Sequence, residues 1–214
     1  MPDTRLRPVD DPSAVTAAVD LLRAGGVVAF PTDTVYGLGA HAGLAAAVAA
    51  LYDVKERPAE KAIPLLLSSA DDLPQVADPV PELAWRLAAR FWPGALTLVL
   101  PKGPAVIEAV SAGPGVAVRV PDYPPLQALI RELGVPLAVT SANLSGAPSP
   151  VTARDVVAQL HGRVPLVLDG GPCRGGVPST VLDLTANPPR ILRSGALAAE
   201  ILAFIEESVA SRKE

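Results

Sequence analysis

Cations and hydroxyls, rather than histidines and cysteines, are the groups this sequence offers for chemistry. Lys55, Arg57 and Lys61 stand in the segment K-E-R-P-A-E-K (55–61), at the end of a helical stretch. A helix C-terminal charge cluster would account for part of it. Pro58, however, ends the helix and leaves Lys61 in the loop leading to the next strand. A planar guanidinium flanked by ammonium point charges suits a polyphosphate. P-T-D-T-V-Y-G (31–37) follows an apolar run directly, which suits hydrogen bonding to a small ligand, although an Asx or ST turn would have the same composition. T-S-A-N-L-S-G-A-P-S-P (140–150) offers hydroxyls, one amide and a flexible glycine, donors for phosphate oxygens or a base edge. Ser179, Arg193 and Arg119 complete the set. Arg119 sits between Val118 and Val120, so its head, if buried, needs an anionic partner. That partner is either a ligand carboxylate or phosphate, or an acid of the core.

Other chemistries are excluded or weakened. Two histidines (His41, His161) and one cysteine (Cys173) cannot supply a four-ligand Cys/His zinc site, and no internal disulfide can form. There is no G-x-x-x-x-G-K-[ST] and no G-x-S-x-G. G-L-G-A-H-A (37–42) fits G-x-G-x-x-A, but a polar break at 31–34 separates it from the preceding strand, and no acid stands at the end of a second strand about 20 residues on. Cys173 with His41 lacks a third, orienting residue for nucleophilic catalysis. The net charge of -4 leaves only a local basic patch for nucleic acid. The N-terminal stretch has acids and prolines where a signal peptide needs a basic start, and no apolar run is long enough to span a bilayer. A cytoplasmic setting without membrane contact is expected.

The elements that must position these groups follow from periodicity. With 50% hydrophobic and 19% charged residues over 214 positions, a sizeable core can form. Helical spacing predicts helices over 13–24, 44–54, 81–91, 126–133, 153–160 and 197–209. Apolar runs predict strands over 27–30, 63–67, 96–100, 116–120, 137–140, 166–168, 180–184 and 191–192. The 24 prolines and 17 glycines punctuate many short elements. Strands and helices interleave, and several late strands have no helix between them. The expected class is therefore α/β (α+β) with a mixed sheet.

Taken in order along the chain, these segments resemble the YrdC-type threonylcarbamoyl-AMP synthase family. The matching text is P-T-D-T-V-Y-G-L (31–38), K-x-R-P-x-x-K (55–61), F-W-P-G-x-L-T-L (91–98), V-A-V-R-V-P (116–121), T-S-A-N-L-S-G (140–146), P-S-P (148–150), P-S-T-V (178–181) and L-R-S-G (192–195). The resemblance implies a YrdC-like twisted mixed sheet with flanking helices and a large concave cavity, as one domain over 1–214 with its motifs within 13–200. It implies condensation of L-threonine, bicarbonate or CO2, and ATP carrying Mg2+ into threonylcarbamoyl-AMP and pyrophosphate, for threonylcarbamoyladenosine modification of tRNA. Lys55, Arg57 and Lys61 would be catalytic. Arg57, Lys61, Gly115, Ser141, Asn143, Ser149 and Arg193 would hold ATP, and Thr34, Arg119, Val139 and Ser179 would hold threonine. No protein-bound metal is implied. Downstream threonylcarbamoyl-transfer proteins are the implied partners, and any contact with tRNA itself would be weak. Leu66 stands where archaeal-type members carry a histidine, and Ala62-Ile63-Pro64 departs from the usual Pro-Leu. Two alternatives share the resemblance: a carbamoyl-adenylate-forming carbamoyltransferase domain, and an RNA-binding module without turnover.

Overall fold

The computed structural model describes residues 3–56 and 62–210. The first half of the chain forms β1 (Arg5–Pro8), α1 (Pro12–Arg23), β2 (Val28–Phe30), β3 (Gly37–His41), α2 (Ala45–Lys55), β4 (Leu65–Leu66), a 3-10 helix (Ala70–Gln75), α3 (Glu82–Phe91) and β5 (Leu96–Pro101). The second half forms β6 (Gly115–Arg119), α4 (Pro124–Leu133), β7 (Leu137–Ser141), α5 (Ala153–Leu160), β8 (Leu166–Asp169), β9 (Thr180–Asp183), β10 (Arg190–Arg193) and α6 (Ala198–Ala210). All ten strands join one sheet in the order β1-β8-β2-β3-β7-β4-β6-β5-β9-β10. Parallel pairs (β1/β8, β2/β8, β4/β6, β5/β9) alternate with antiparallel ones, so the sheet is mixed as expected.

Period-2 alternation sorts the side chains between two faces. On one face Ala29, Leu38, Ala138, Val167, Leu96 and Val118 pack beneath α2, α3, α5 and α6. On the other, Val28, Phe30, Leu137, Val139, Leu166 and Leu168 pack beneath α1 and α4. Those two helices touch each other, and α1 covers the part of the sheet around β8, β2 and β3. Beyond them, the residues of β5, β6 and β9 that point away from α3 and α6 line a cavity instead: Thr97, Val99, Ala117, Arg119 and Val181.

All six helices form within two residues of their expected limits, and most have an amphipathic face and a clear stop. Gly134 in the left-handed region (φ 81°) ends α4, and a Thr152–Asp155 capping box starts α5. Two strands were not anticipated. β1 is a polar edge strand, R-L-R-P, with no alternation to reveal it. β3 is the G-L-G-A-H run, central in the sheet and antiparallel to β2 and β7. Its glycines serve close approach. A Cβ at Gly39 would lie 2.7 Å from two ring carbons of Phe30, and one at Gly37 would lie 2.9 Å from a methyl of Val139. The expected strand over 63–67 is observed as Leu65–Leu66: the Ile63 amide bonds to the Val110 carbonyl outside the sheet, while the Leu67 amide still bonds to Arg119 of β6.

Gly39→Ala should therefore destabilise the fold by about 1–3 kcal/mol through overpacking. Phe30→Leu added to it should recover part of that loss. Urea unfolding of the two single variants and the double checks this, since strictly additive effects would remove the ring from the explanation.

Candidate functional site

The cavity over the uncovered strands has a volume of about 380 Å3 and brings together residues from eight separate stretches of chain. Seven expected residues line it: Thr34, Arg119, Val139, Ser141, Ser149, Ser179 and Arg193. Leu66, at the position of the archaeal-type histidine, lines it as well. Arg57 and Lys61 lie outside the described residues.

Arg119 is the buried centre of the site. It ends β6 on the cavity face and is 7% exposed. Its Nε donates to the Gly94 carbonyl (2.8 Å), its Nη1 to Thr34 Oγ1 (3.0 Å) and its Nη2 to Asp33 Oδ1 (2.5 Å). Burial pulls the Arg119 guanidinium below its ordinary pKa, and the Asp33 carboxylate opposes that shift. Of the two partners the sequence left open, the core acid is present, and it is Asp33. A guanidinium has five N–H donors, and three are engaged, so two remain.

The 31–36 segment is held rigid around that pair. Thr32 Oγ1 accepts from the amides of Thr34 (3.0 Å) and Val35 (3.2 Å) and donates to the Val35 carbonyl (2.7 Å). The Asp33 and Thr34 carbonyls accept from Gly175 and Gly176. Tyr36 donates its phenol proton to the Gly171 carbonyl at 2.8 Å, and burial holds that phenol well above its usual pKa.

Arg193, from β10, is the second cation at the cavity. It donates through Nε to the Ser179 carbonyl (2.9 Å) and through Nη2 to Ser179 Oγ (3.0 Å). Burial and then the nearby Arg119 charge lower its pKa, so the two guanidiniums feel each other. Both remain protonated at neutral pH, which gives the cavity a positive interior in an acidic protein.

Lys55, expected among the catalytic groups, is held by carbonyls of the protein itself. It is 2% exposed, and its ammonium donates to the carbonyls of Ser141 and Asn143 and to Asn143 Oδ1 (3.3 Å). Its own carbonyl accepts from the Ser145 amide at 2.9 Å. Asn143 donates onward to the carbonyls of Leu144 and Ala147. Lys55 and Asn143 thus lie behind the 141–147 loop and clamp α2 to it, and neither lines the cavity. Gly115 lies outside the lining too, at the far end of the β6 face that carries Ala117 and Arg119.

Three residues at or behind the cavity carry roles the sequence did not single out. Asp33 was visible as a carboxylate but not as the partner of Arg119. Thr32 builds the turn. Thr97, 2% exposed on β5, shares a 2.7 Å hydrogen bond with Ser179. The signal for Thr97 was a lone hydroxyl inside L-T-L-V-L, on the face opposite its leucines. Elsewhere, the His41 ring accepts from the Gly43 amide, and His161 caps α5. Among the described residues no group of three or more His, Cys, Asp or Glu side chains is placed to hold a metal ion, and no helix is long and apolar enough to cross a membrane.

Comparison with known proteins accords with this architecture. The threonylcarbamoyl-AMP synthase of Bacillus subtilis is 48% identical over 193 residues, which cover 89% of this chain and 56% of that protein. The putative threonylcarbamoyl-AMP synthase of Mycobacterium tuberculosis is 40% identical over 192 residues, covering 89% of this chain and 88% of that protein. The crystal structure of Pyrococcus abyssi Sua5 complexed with L-threonine superposes with a TM-score of 0.84 at 41% identity, covering 91% of this chain and 57% of that one. The chain spans about half the length of the Bacillus and Pyrococcus relatives it matches. The Sua5_yciO_yrdC family model, described as telomere recombination, matches residues 20–195, a span that holds every cavity-lining residue named above. With its cavity, its ordered motifs and every strand but β1 inside that span, the chain belongs to the Sua5/YciO/YrdC family.

Proposed function

We propose that this protein is an L-threonylcarbamoyladenylate synthase, joining L-threonine, bicarbonate or CO2, and ATP into threonylcarbamoyl-AMP with release of pyrophosphate. The observation that carries this reading is Arg119: a buried guanidinium at a cavity wall, already neutralised by Asp33, with two N–H groups left over. Such a fork suits the carboxylate of an amino acid. The relatives named threonylcarbamoyl-AMP synthase and the Sua5 complex with L-threonine support the same choice of ligand.

The chemistry asks little of acid–base residues. The neutral amine of threonine attacks the carbon of CO2, a C–N bond forms, and loss of one proton leaves a carbamate. A carbamate oxygen then attacks the α-phosphorus of ATP, and the P–O bond to the β-phosphate breaks as pyrophosphate departs. Both reactants of the second step are anions, so the barrier to lower is electrostatic. Arg193 faces the cavity for that purpose, and Arg57 and Lys61 are assigned the polyphosphate on the strength of the family motif. Ser141 and Ser149 donate hydrogen bonds to the nucleotide. Gly115 and Asn143 belong to the same site through the backbone near β6 and through the loop that Asn143 holds. Mg2+ arrives on the nucleotide: among the described residues no carboxylate lines the cavity, and Asp33 is engaged by Arg119. Lys55 acts indirectly, by holding Ser141 and its loop in place. The product feeds threonylcarbamoyl transfer to tRNA by other proteins, in a cytoplasmic setting, and residues 1–214 act as one unit.

Mass spectrometry of a mixture of protein, ATP, Mg2+, threonine and bicarbonate tests the proposal. Appearance of the mixed carbamic–phosphoric anhydride, absent when carbamoyl phosphate replaces threonine and bicarbonate, is the expected result. Adenylate formation only with carbamoyl phosphate would overturn it.

Three variants test the roles. Arg119→Lys keeps the charge but loses the fork. We expect the threonine KM to rise about 10–100-fold, the range for losing a charge-assisted hydrogen bond, with ATP affinity nearly unchanged in calorimetry. Arg57→Ala and Lys61→Ala should each abolish threonine-dependent ATP consumption with an unchanged circular-dichroism spectrum, so wild-type-like turnover in both would remove the polyphosphate assignment. Lys55→Met strands buried carbonyls, each at about 1–3 kcal/mol. It should lower the urea midpoint as well as activity, whereas a fall in kcat with unaltered stability would restore Lys55 to the reacting atoms.

A further inference from the structure

We infer that Thr97 is a positioning residue that makes the Ser179 hydroxyl a fixed donor toward the ligand carboxylate. The inference rests on the threonine reading above and deepens it.

Proton counting gives the reason. Arginine can only donate, and a hydroxyl has one proton and two lone pairs. Arg193 Nη2 donates to Ser179 Oγ at 3.0 Å and so occupies one of those lone pairs. Ser179 Oγ and Thr97 Oγ1 lie 2.7 Å apart, so one donates to the other. If Thr97 donates, both lone pairs of Ser179 are filled and the Ser179 proton must find an acceptor elsewhere. If Ser179 donates, the Thr97 proton must do so. Either way a chain that starts on a guanidinium ends in an O–H with no acceptor among the described residues. Both hydroxyls line the cavity, and they are 2% and 3% exposed. A buried donor left unmatched is unfavourable, so the chain calls for an oxygen acceptor supplied from the cavity.

A second hydroxyl at the cavity, Thr34, also accepts from a guanidinium. Arg119 Nη1 donates to Thr34 Oγ1, while Thr32 Oγ1 already accepts two amides and donates to a carbonyl. Thr32 Oγ1 and Thr34 Oγ1 also lie 3.0 Å apart and either can be the donor, so the Thr34 proton has Thr32 as well as the cavity within reach. Each guanidinium thus fills one acceptor position on a cavity hydroxyl, Arg193 on Ser179 and Arg119 on Thr34. A ligand group with several acceptor lone pairs and no protons, such as a carboxylate, matches that pattern, and a carboxamide does not.

Steady-state pyrophosphate release with Thr97→Val, Thr97→Ala and Thr97→Ser tests this, the two apolar variants being made together so that one folded protein suffices. For either apolar variant we expect the threonine KM to rise about tenfold, the order of one lost hydrogen bond, with kcat and the ATP KM within about twofold. Thr97→Ser should return the threonine KM to within about twofold of wild type. In a Ser179→Ala background, Thr97→Val should add less than about twofold, because its effect runs through Ser179. Inhibition by threonine amide supplies the readout that packing alone would not move: the preference for acid over amide should narrow in the apolar variants. An unchanged threonine KM, an equal rise in both KM values, or an unchanged acid-to-amide preference would each overturn the inference. Wild-type protein that turns over no threonine would instead overturn the functional reading on which it rests.

Discussion

One buried ion pair governs the site. Arg119 and Asp33 have side chains only 8% and 12% exposed, and their contact joins the end of β6 to the turn after β2. Through Nε the same guanidinium also ties down the Gly94 carbonyl in the turn before β5. Three stretches distant in sequence therefore meet at one group. Breaking a buried pair by removing one partner typically costs about 3–5 kcal/mol, so the turn geometry and the charge at the cavity wall depend on each other. The pair also sets the electrostatics. Asp33 compensates Arg119 in the protein, which leaves Arg193 as the uncompensated cation facing the cavity among the described residues.

Around that pair the fold uses the sheet unequally. One face is covered by α2, α3, α5 and α6, while α1 and α4 close only part of the other. Where helices stop, β5, β6 and β9 present alternate residues to the cavity, and these residues are small or hydrogen-bonding apart from the valines and Arg119. The loops at the rim are held by polar clamps buried behind them. Lys55 supplies a positive charge to the inward carbonyls of the 141–147 loop, a position that an apolar side chain of equal length could fill but not satisfy.

Much of this was legible in the sequence, for identifiable reasons. Helices with an apolar stripe and a glycine or proline stop declared themselves, and the ordered motifs led to seven of the lining residues. The strand β3 was hidden because its glycines answer to the Phe30 ring, a neighbour known only once β2 and β3 pair. β1 was hidden because an edge strand with one partner needs no apolar alternation. Lys55 also carries its ammonium to the carbonyls of the 141–147 loop, a contact that its spacing from Arg57 and Lys61 cannot show. Thr97 was passed over because a hydroxyl in a strand gains meaning only from the residue across the ladder, and β5 pairs with β9 across 80 residues of chain.

The alternation that exposes Arg119 to the cavity also protects the sheet from misassembly. β6 reads G-V-A-V-R, with its valines under α3 and α6 and its arginine on the opposite side. Sliding β6 by one position against β4 and β5 would exchange the two faces, driving a guanidinium among leucines and turning Val118 toward the polar wall. Such a slipped arrangement would leave an uncompensated charge in the core, so the chain has a strong reason to reject it. A side chain placed at the cavity wall thereby doubles as a register mark, and the fidelity of folding in this half of the molecule is tied to the charge that the cavity carries.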